Sequence, residues 1–451
     1  MKRLLHIKRR ILIIQLSSPN LNPHQGNHLK RLILPVAILG ILCSLPLQAG
    51  ELAELLLDTL QHPQLRAAAN QTGAAQAQKD AATGRYFGNA TLSTGWHRYE
   101  GQRVVGIYTP GQPGLPLTAN AISQAGINYS LPVDIFGVIA ANRERAQQDV
   151  ASAELVARQQ TLLKLHQTSS AYFSLQALLS QKEALAFYRQ RVEATHARTR
   201  KEVELGKTAG VEASYAESEA MRLAADETAL QSAVTQTQAD LQEASGVENF
   251  LPKTSALALP DWDETAAEHT LPAQLAQSRE DAARAQANET RRALFPSVSL
   301  DANYFRNHGN GDDRDTWALG GVVSLPLGVS AYKQAQAQNL SAQAAAEQKQ
   351  AILRDTVRQL ASLKSAYQAA RADMAAMEKE IVYREQIVTV QREMQRLGSQ
   401  TLENLFRHER DLLDARYRLA LSRARAAAAW SSAQVLAGMA PENYIARWEH
   451  K

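Results

Sequence analysis

Two related stretches decide how this chain is read: INYSLPVDIFG, Ile127 to Gly137, and its partial return as VVSLPLG, Val322 to Gly328. Pro132 and Pro326 lie 194 positions apart. Each closes a segment in which apolar and polar residues alternate, and each opens a long run without proline. The run after Pro132 holds 119 residues and the run after Pro326 holds 114. Both are rich in Ala, Gln, Leu, Glu and Arg, which are strong helix formers. Glycine is nearly absent from them except at corresponding places: Gly206 and Gly398 near the middle, Gly246 and Gly438 at the end, each pair 192 apart. A solenoid repeats every 20–50 residues or so. A period near 190 marks instead a duplicated half-molecule. Pro132 and Pro326 are expected to be strand–helix joints, because proline donates no ladder hydrogen bond and its fixed φ suits a helix start.

Each half carries the same parts in the same order. A helical segment of about thirty residues comes first, Glu51 to Thr83 and Glu264 to Ala293, with Pro63 and Pro272 near the two starts. A pair of alternating segments follows. In PSVSLDANYF, Val298, Leu300, Ala302 and Tyr304 share one face, and Ser297, Ser299, Asp301 and Asn303 share the other. In AISQAGINYSL, Ala121, Ser123, Ala125, Ile127, Tyr129 and Leu131 oppose Ile122, Gln124, Gly126, Asn128 and Ser130. Period two over roughly ten residues fits a transmembrane β-strand, and equally a half-buried strand of a soluble sheet. The long helical run comes last, with the lone glycine as its turn. From Gly137 to Gly206 it spans roughly 100 Å if helical. The return to Gly246 is shorter, so a descending helix is matched by two stacked ascending ones. The predicted divisions are residues 1–49 as leader and signal peptide, 50–263 and 264–445 as the two repeats, and 446–451 as a tail.

The leader has the layout of an export signal: Lys30 and Arg31, an apolar core from Leu32 to Leu47, then Ala49 before Gly50. The core contains Pro35 and Pro46 and is short for a membrane span. Residues 1–29 make the leader unusually long, as a start site placed too far upstream would. Cys43 follows Leu42, where a lipoprotein signal needs a small residue, so a lipid anchor is not expected. Cys43 is the only cysteine, and the exported chain needs neither disulfides nor thiol metal sites. The chain has 49 Lys and Arg against 45 Asp and Glu, a net +4, but the leader holds seven of the basic residues and no acid. The exported part is thus slightly acidic, and the high overall pI does not point to nucleic acid.

The strand count has a consequence. Every backbone N–H and C=O in a bilayer must be paired, so an open sheet with two bare edges cannot stand there. Four strands cannot close a barrel, since the smallest membrane barrels have eight. Strands of this chain in a membrane must therefore share a barrel with other chains. The helices point the same way: their apolar positions are mostly Ala with sparser Leu and Val, such as Val150, Ala153 and Ala157. Such thin seams suit long coiled pairs with several neighbours.

SLPVDIFG leading into a long helix, the turns VELGKTAGVEASYAE and QRLGSQTLENLFRHERDLLDAR, and the helix ends LQEASG and VLAGMAPE resemble the TolC-like outer-membrane efflux proteins. The resemblance covers roughly residues 51–445. It implies a mainly α fold with transmembrane β: duplicated long helical hairpins and two β-hairpins per chain, in a homotrimer with a twelve-stranded outer-membrane barrel above a periplasmic helical tunnel. It also implies an exit duct for a tripartite efflux pump or type I secretion system, with an inner-membrane pump and a periplasmic adaptor as partners and outer-membrane lipid around the barrel. Carried over by position, the adaptor-contacting tips are Leu205, Gly206 and Val211 with Leu397, Gly398 and Leu402. The periplasmic constriction falls on Glu212, Gln395, Gln400, Asn404 and Arg407. The family's best-known branch has a ring of acids there, held by Tyr and Arg. Here Asn404 and Arg407 stand at the acidic positions and Gln395 and Gln400 at the Tyr and Arg positions. Glu212 with the basic cluster Arg396, Arg407 and Arg410 either sets the charge of the constriction or supplies ordinary solvated charges at the helix tips.

No catalytic constellation is present in the sequence, and no cofactor or nucleic acid is expected. The eight histidines beyond the leader (62, 97, 166, 196, 269, 308, 408 and 450) lack metal-ligand spacing. GNGDD, Gly309 to Asp313, reads as a hairpin turn rather than a calcium loop. Two other readings use some of the same features. A periplasmic adaptor has one helical hairpin flanked by compact β domains, and a coiled-coil rod has neither hairpins of strands nor a signal.

Overall fold

The computed structural model describes residues 50–448 apart from 112, 114 and 254–257; the expected leader and signal lie outside the described residues. The elements run α1 (Glu51–Thr59), α2 (Pro63–Gly84), β1 (Asn89–Val104), β2 (Thr118–Val133), α3 (Val138–Glu204), α4 (Gly210–Ser245), α5 (Leu271–Arg292), β3 (Ser297–Gly309), β4 (Asp312–Ser324), α6 (Val329–Arg396), α7 (Leu402–Ala437) and α8 (Pro441–Ala446).

The two long helices, α3 with 67 residues and α6 with 68, are each about 100 Å long. They return through α4 and α7 of 36 residues each. Gly206 (φ +69°) and Gly398 (φ +74°) take the left-handed backbone at the two reversals, a conformation open to glycine at little cost. α2 and α5 lie alongside α3 and α6 and complete the shorter ascending columns.

The first helical segment differs from expectation. It is two helices, broken at Leu60–His62, because Pro63 sits at a helix start and the His62 ring accepts a capping hydrogen bond from the Gln64 N–H at 3.2 Å. Its counterpart in the second half begins at Leu271 rather than Glu264, again with proline in the first turn.

The strands form one antiparallel sheet in the order β1-β2-β3-β4. The β2–β3 ladder, from Ser123 opposite His308 to Val133 opposite Val298, joins the two repeats. Among the described residues, one edge of β1 and one of β4 have no partner strand.

The repeated Ser-Leu-Pro is out of register with the fold. Strand ends (Val133, Ser324) and helix starts (Val138, Val329) are offset by 191, not 194. Pro132 is the penultimate residue of β2, opposite Ser299, and Pro326 lies in the connection after β4. Pro132 is tolerated because β1 has already ended at Asn89, opposite Ser130, leaving β2 a local edge there. The device at the first joint is Asp134. Its carboxylate accepts hydrogen bonds from the Ile139 and Ala140 N–H groups at 3.1 and 2.9 Å and satisfies the start of α3.

The thickest core is aromatic and sits midway along the helices, where α1 and α8 wrap α3 and α7. Trp430 packs edge-on against Trp448 with ring centres 5.2 Å apart and lies 5.6 Å from Tyr444. Phe173 meets Trp448 at 5.2 Å, and Leu52, Leu55 and Leu56 of α1 are fully buried in the same cluster. Away from this belt the helices pack through the thin Ala-rich seams that the sequence shows.

Candidate channel wall and periplasmic tip

The sheet has two chemically distinct faces. Across its four strands, Leu92, Ile127, Tyr304 and Trp317 stand in one row. The rows beneath, toward the helices, hold Tyr129, Ala302 and Leu319, then Leu131 and Leu300, then Val133, Val298 and Val323. Ile127, Tyr129, Leu300, Tyr304, Trp317, Leu319 and Val323 are all exposed. The opposite face carries Thr91, Asn128 and Asn303, then Ser130 and Asp301, with Gln124 bonded to Asn307 at 3.0 Å. From Phe295 at the base to Tyr304 is nine residues, roughly 30 Å along the strand and about 23 Å along a membrane normal at a tilt near 40°. That matches the apolar band of about 25 Å on membrane barrels, with aromatic residues at both borders. Among the described residues, no helix is long and apolar enough to cross a membrane.

At the far end, the two helical turns meet in a cleft of about 490 Å³. Glu212, Gln395, Arg396, Gly398 and Gln400 line it together with Arg198, Glu202 and Lys207. Arg198 donates to the Gln395 side-chain oxygen at 3.0 Å. Asn404 donates to Gln400 at 2.9 Å and accepts from Arg407 at 2.9 Å. The five residues assigned by position to a constriction are therefore neighbours in space.

The basic cluster is divided. Arg396 forms a local ion pair with Glu393. Arg410 is committed to the buried Glu219 (5% exposed), which also accepts from the Tyr188 hydroxyl at 3.0 Å. Burial, reinforced by Glu219, pushes the Tyr188 phenol above its ordinary value, so it stays the donor. Arg407 alone of the three is held by a neutral side chain. A second buried acid, Glu409 (3% exposed), joins Arg191 of α3 at 3.3 Å and Arg392 of α6 at 3.0 Å. Glu219 and Glu409 thus tie all four long and returning helices together near the tip. Sequence periodicity gives no sign of these ties, which join side chains up to 218 positions apart.

Of the tip residues, Leu205 is 68% exposed, Val211 77% and Leu397 68%, an unusual display of apolar side chains on a turn. Leu402 is different. It is 2% exposed and packs into the core with Leu405 and Phe406, so it anchors the second turn from beneath rather than presenting itself to a partner.

Other candidate chemistry resolves into structure. His166 is bonded to Ser431 at 2.9 Å, and burial pushes its imidazole below the ordinary value. Among the described residues, no three His, Cys, Asp or Glu side chains converge as metal ligands.

Long helices thus carry a sheet with one apolar face and, among the described residues, two unpaired edges. The family model for outer membrane efflux proteins matches residues 58–247. No curated protein sequence matches the chain. Solved structures share its fold across nearly its whole length. The CmeC outer membrane channel of Campylobacter jejuni is 14% identical with a TM-score of 0.76, covering 96% of this chain and 98% of its own. The outer membrane protein VceC of Vibrio cholerae is 19% identical with a TM-score of 0.72, covering 87% and 97%. The MtrE outer membrane channel of Neisseria gonorrhoeae, in its open state, is 15% identical with a TM-score of 0.71, covering 86% and 88%. The first repeat is thus similar in sequence to outer membrane efflux proteins, and the fold over most of the chain is that of the outer membrane channels above.

Proposed function

We propose that three copies of this chain form the outer-membrane exit duct of a tripartite efflux pump or type I secretion system, passively conducting substrate that an inner-membrane pump delivers. The carrying observation is the four-stranded sheet with an apolar outer face and two open edges, mounted on helices about 100 Å long. β4 of one copy pairs with β1 of the next, and three such sheets close a twelve-stranded barrel. The helices then form the periplasmic tunnel, and the leader directs export from the inner membrane. Leu205, Gly206, Val211, Leu397 and Gly398 form the groove for a helical hairpin of the periplasmic adaptor, with Leu402 holding the turn in place. Glu212, Gln395, Gln400, Asn404 and Arg407 face the narrowing mouth. A periplasmic adaptor does not fit, because both halves contribute to one sheet and each carries its own long hairpin. A coiled-coil rod leaves the apolar sheet face without a purpose.

Conductance of the purified protein in planar bilayers tests the duct. Discrete conducting steps are expected. Glu212→Gln and Arg407→Ala are expected to shift the cation/anion preference in opposite directions, with a severalfold change in permeability ratio. No channel activity from protein extracted from outer membranes sinks the duct. Unchanged selectivity in both variants removes these two residues from the constriction.

A further inference from the structure

The base of the sheet carries a basic and aromatic pocket that the duct itself does not require. A cavity of about 760 Å³ at the strand–helix junction is lined by Tyr86, Asp134, Phe136, Arg291, Arg292 and Phe295. Phe136 and Phe295 stack with ring centres 5.3 Å apart, and both are exposed. Arg85 adjoins Tyr86. Arg143 lies one helical turn beyond Ala140, another residue of the pocket wall, and within electrostatic reach of the Tyr86 hydroxyl. Among the described residues, none of Arg85, Arg143, Arg291 and Arg292 has a carboxylate within ion-pair distance, whereas about half of the arginines in the helices do. Arg292 donates to the Gly137 carbonyl at 2.9 Å and fixes the joint; Arg85, Arg143 and Arg291 are exposed. The one acid in the wall, Asp134, has its oxygens engaged by the start of α3 and, at 3.4 Å, by Tyr86. The pocket is left with an excess of guanidinium charge.

Its position says what would neutralise that charge. The rows of apolar residues on the outer face end here, at Val133, Val298 and Val323. Tyr129 stands on that outer face and donates to the Phe87 carbonyl at 2.5 Å, which brings the Tyr86–Phe87 turn under the lipid side of the sheet. Guanidinium groups next to exposed aromatic rings at the border of an apolar band fit a phosphodiester: the fork binds phosphate oxygens while the rings meet glycerol and the first acyl carbons. Basic pockets at this depth bind anionic headgroups. We propose that this junction is a binding site for the headgroup of an anionic phospholipid, held by Arg85, Arg143 and Arg291 around the Phe136–Phe295 stack. The site rests on the outer-membrane reading above and deepens it, because it would fix the height of the barrel against the inner leaflet.

The test uses the intact assembly in nanodiscs of phosphatidylcholine alone or with phosphatidylglycerol, with bound lipid counted by native mass spectrometry and stability followed by thermal melting. The wild type is expected to retain phosphatidylglycerol through exchange into neutral lipid and to melt higher in its presence. The variant Arg85→Gln/Arg143→Gln/Arg291→Gln is expected to retain at least tenfold less and to lose the added protection, while melting like the wild type in phosphatidylcholine. Arg291→Gln alone, at an exposed position, is expected to show the same loss in smaller degree and keeps the test open should the triple variant fail to assemble. Equal retention by wild type and both variants overturns the site. So does equal protection of the detergent-solubilised protein by inorganic phosphate, which would make the ligand a free anion. Failure of the assembly to enter membranes at all would instead count against the outer-membrane reading.

Discussion

Gly126→Val is expected to abolish the assembled channel, lowering the amount of folded oligomer in outer membranes by more than tenfold. Gly126 lies in the middle of β2 with Ser93 on one side and Phe305 on the other. A Cβ there meets the Tyr304 carbonyl oxygen at 2.2 Å and the Phe305 Cα at 2.9 Å. Both contacts are backbone, so relief requires parting β2 from β3, the ladder that joins the two repeats. Parting them frees backbone groups that a bilayer cannot satisfy, each at a cost of several kcal/mol. Gly73→Ala is the matched control. That glycine lies inside α2 with open space around it, so the substitution is expected to be neutral or to stabilise by about 0.5–1 kcal/mol. The heat-sensitive oligomer band on a gel, compared between the two variants, reads the difference.

The second large effect concerns the tip. Glu219→Gln with Glu409→Gln removes both buried acids that hold α3, α4, α6 and α7 together. Breaking a fully buried pair typically costs about 3–5 kcal/mol. Here the arginine partners are roughly a third to a half exposed, so about 2 kcal/mol for each is a better expectation. The variant is expected to leave barrel assembly intact, since the sheet is remote from the tip in the element order, and to raise single-channel conductance severalfold as the helices splay. A double variant that conducts like the wild type would mean that these ties carry stability alone. Arg396→Gln, which loses only a local pair with Glu393, should change conductance far less.

Much of this architecture is written in the sequence, and the reasons are local. Gly206, Gly398, Gly246 and Gly438 all take positive φ, and each stands where a helix reverses or ends; glycine's conformational freedom leaves that mark in any chain. The alternation in β2 and β3 survives in the register because a sheet with one apolar and one polar face admits no slip. Other features depend on what meets what in space. The aromatic belt joins Leu52 and Phe173 to Trp430, Tyr444 and Trp448, and no periodicity links residues so far apart. The break at His62 turns on a ring nitrogen finding the Gln64 N–H. Arg396, Arg407 and Arg410 look alike in sequence but have three different partners. Leu402 opens α7 and Val211 is the second residue of α4, both aliphatic residues just after a turn, yet one is buried and the other exposed. The repeated Ser-Leu-Pro pointed to the right region through a wrong equivalence: Val323, not Pro326, is the counterpart of Pro132, and Asp134 serves the joint.

The central claim is that one chain supplies a third of a barrel. Native mass spectrometry of the protein extracted intact from outer membranes measures this directly. An assembly of three chains, recovered from the outer-membrane fraction, is the expected result. A monomer or dimer, or recovery in the soluble fraction, would contradict the shared barrel and the duct with it.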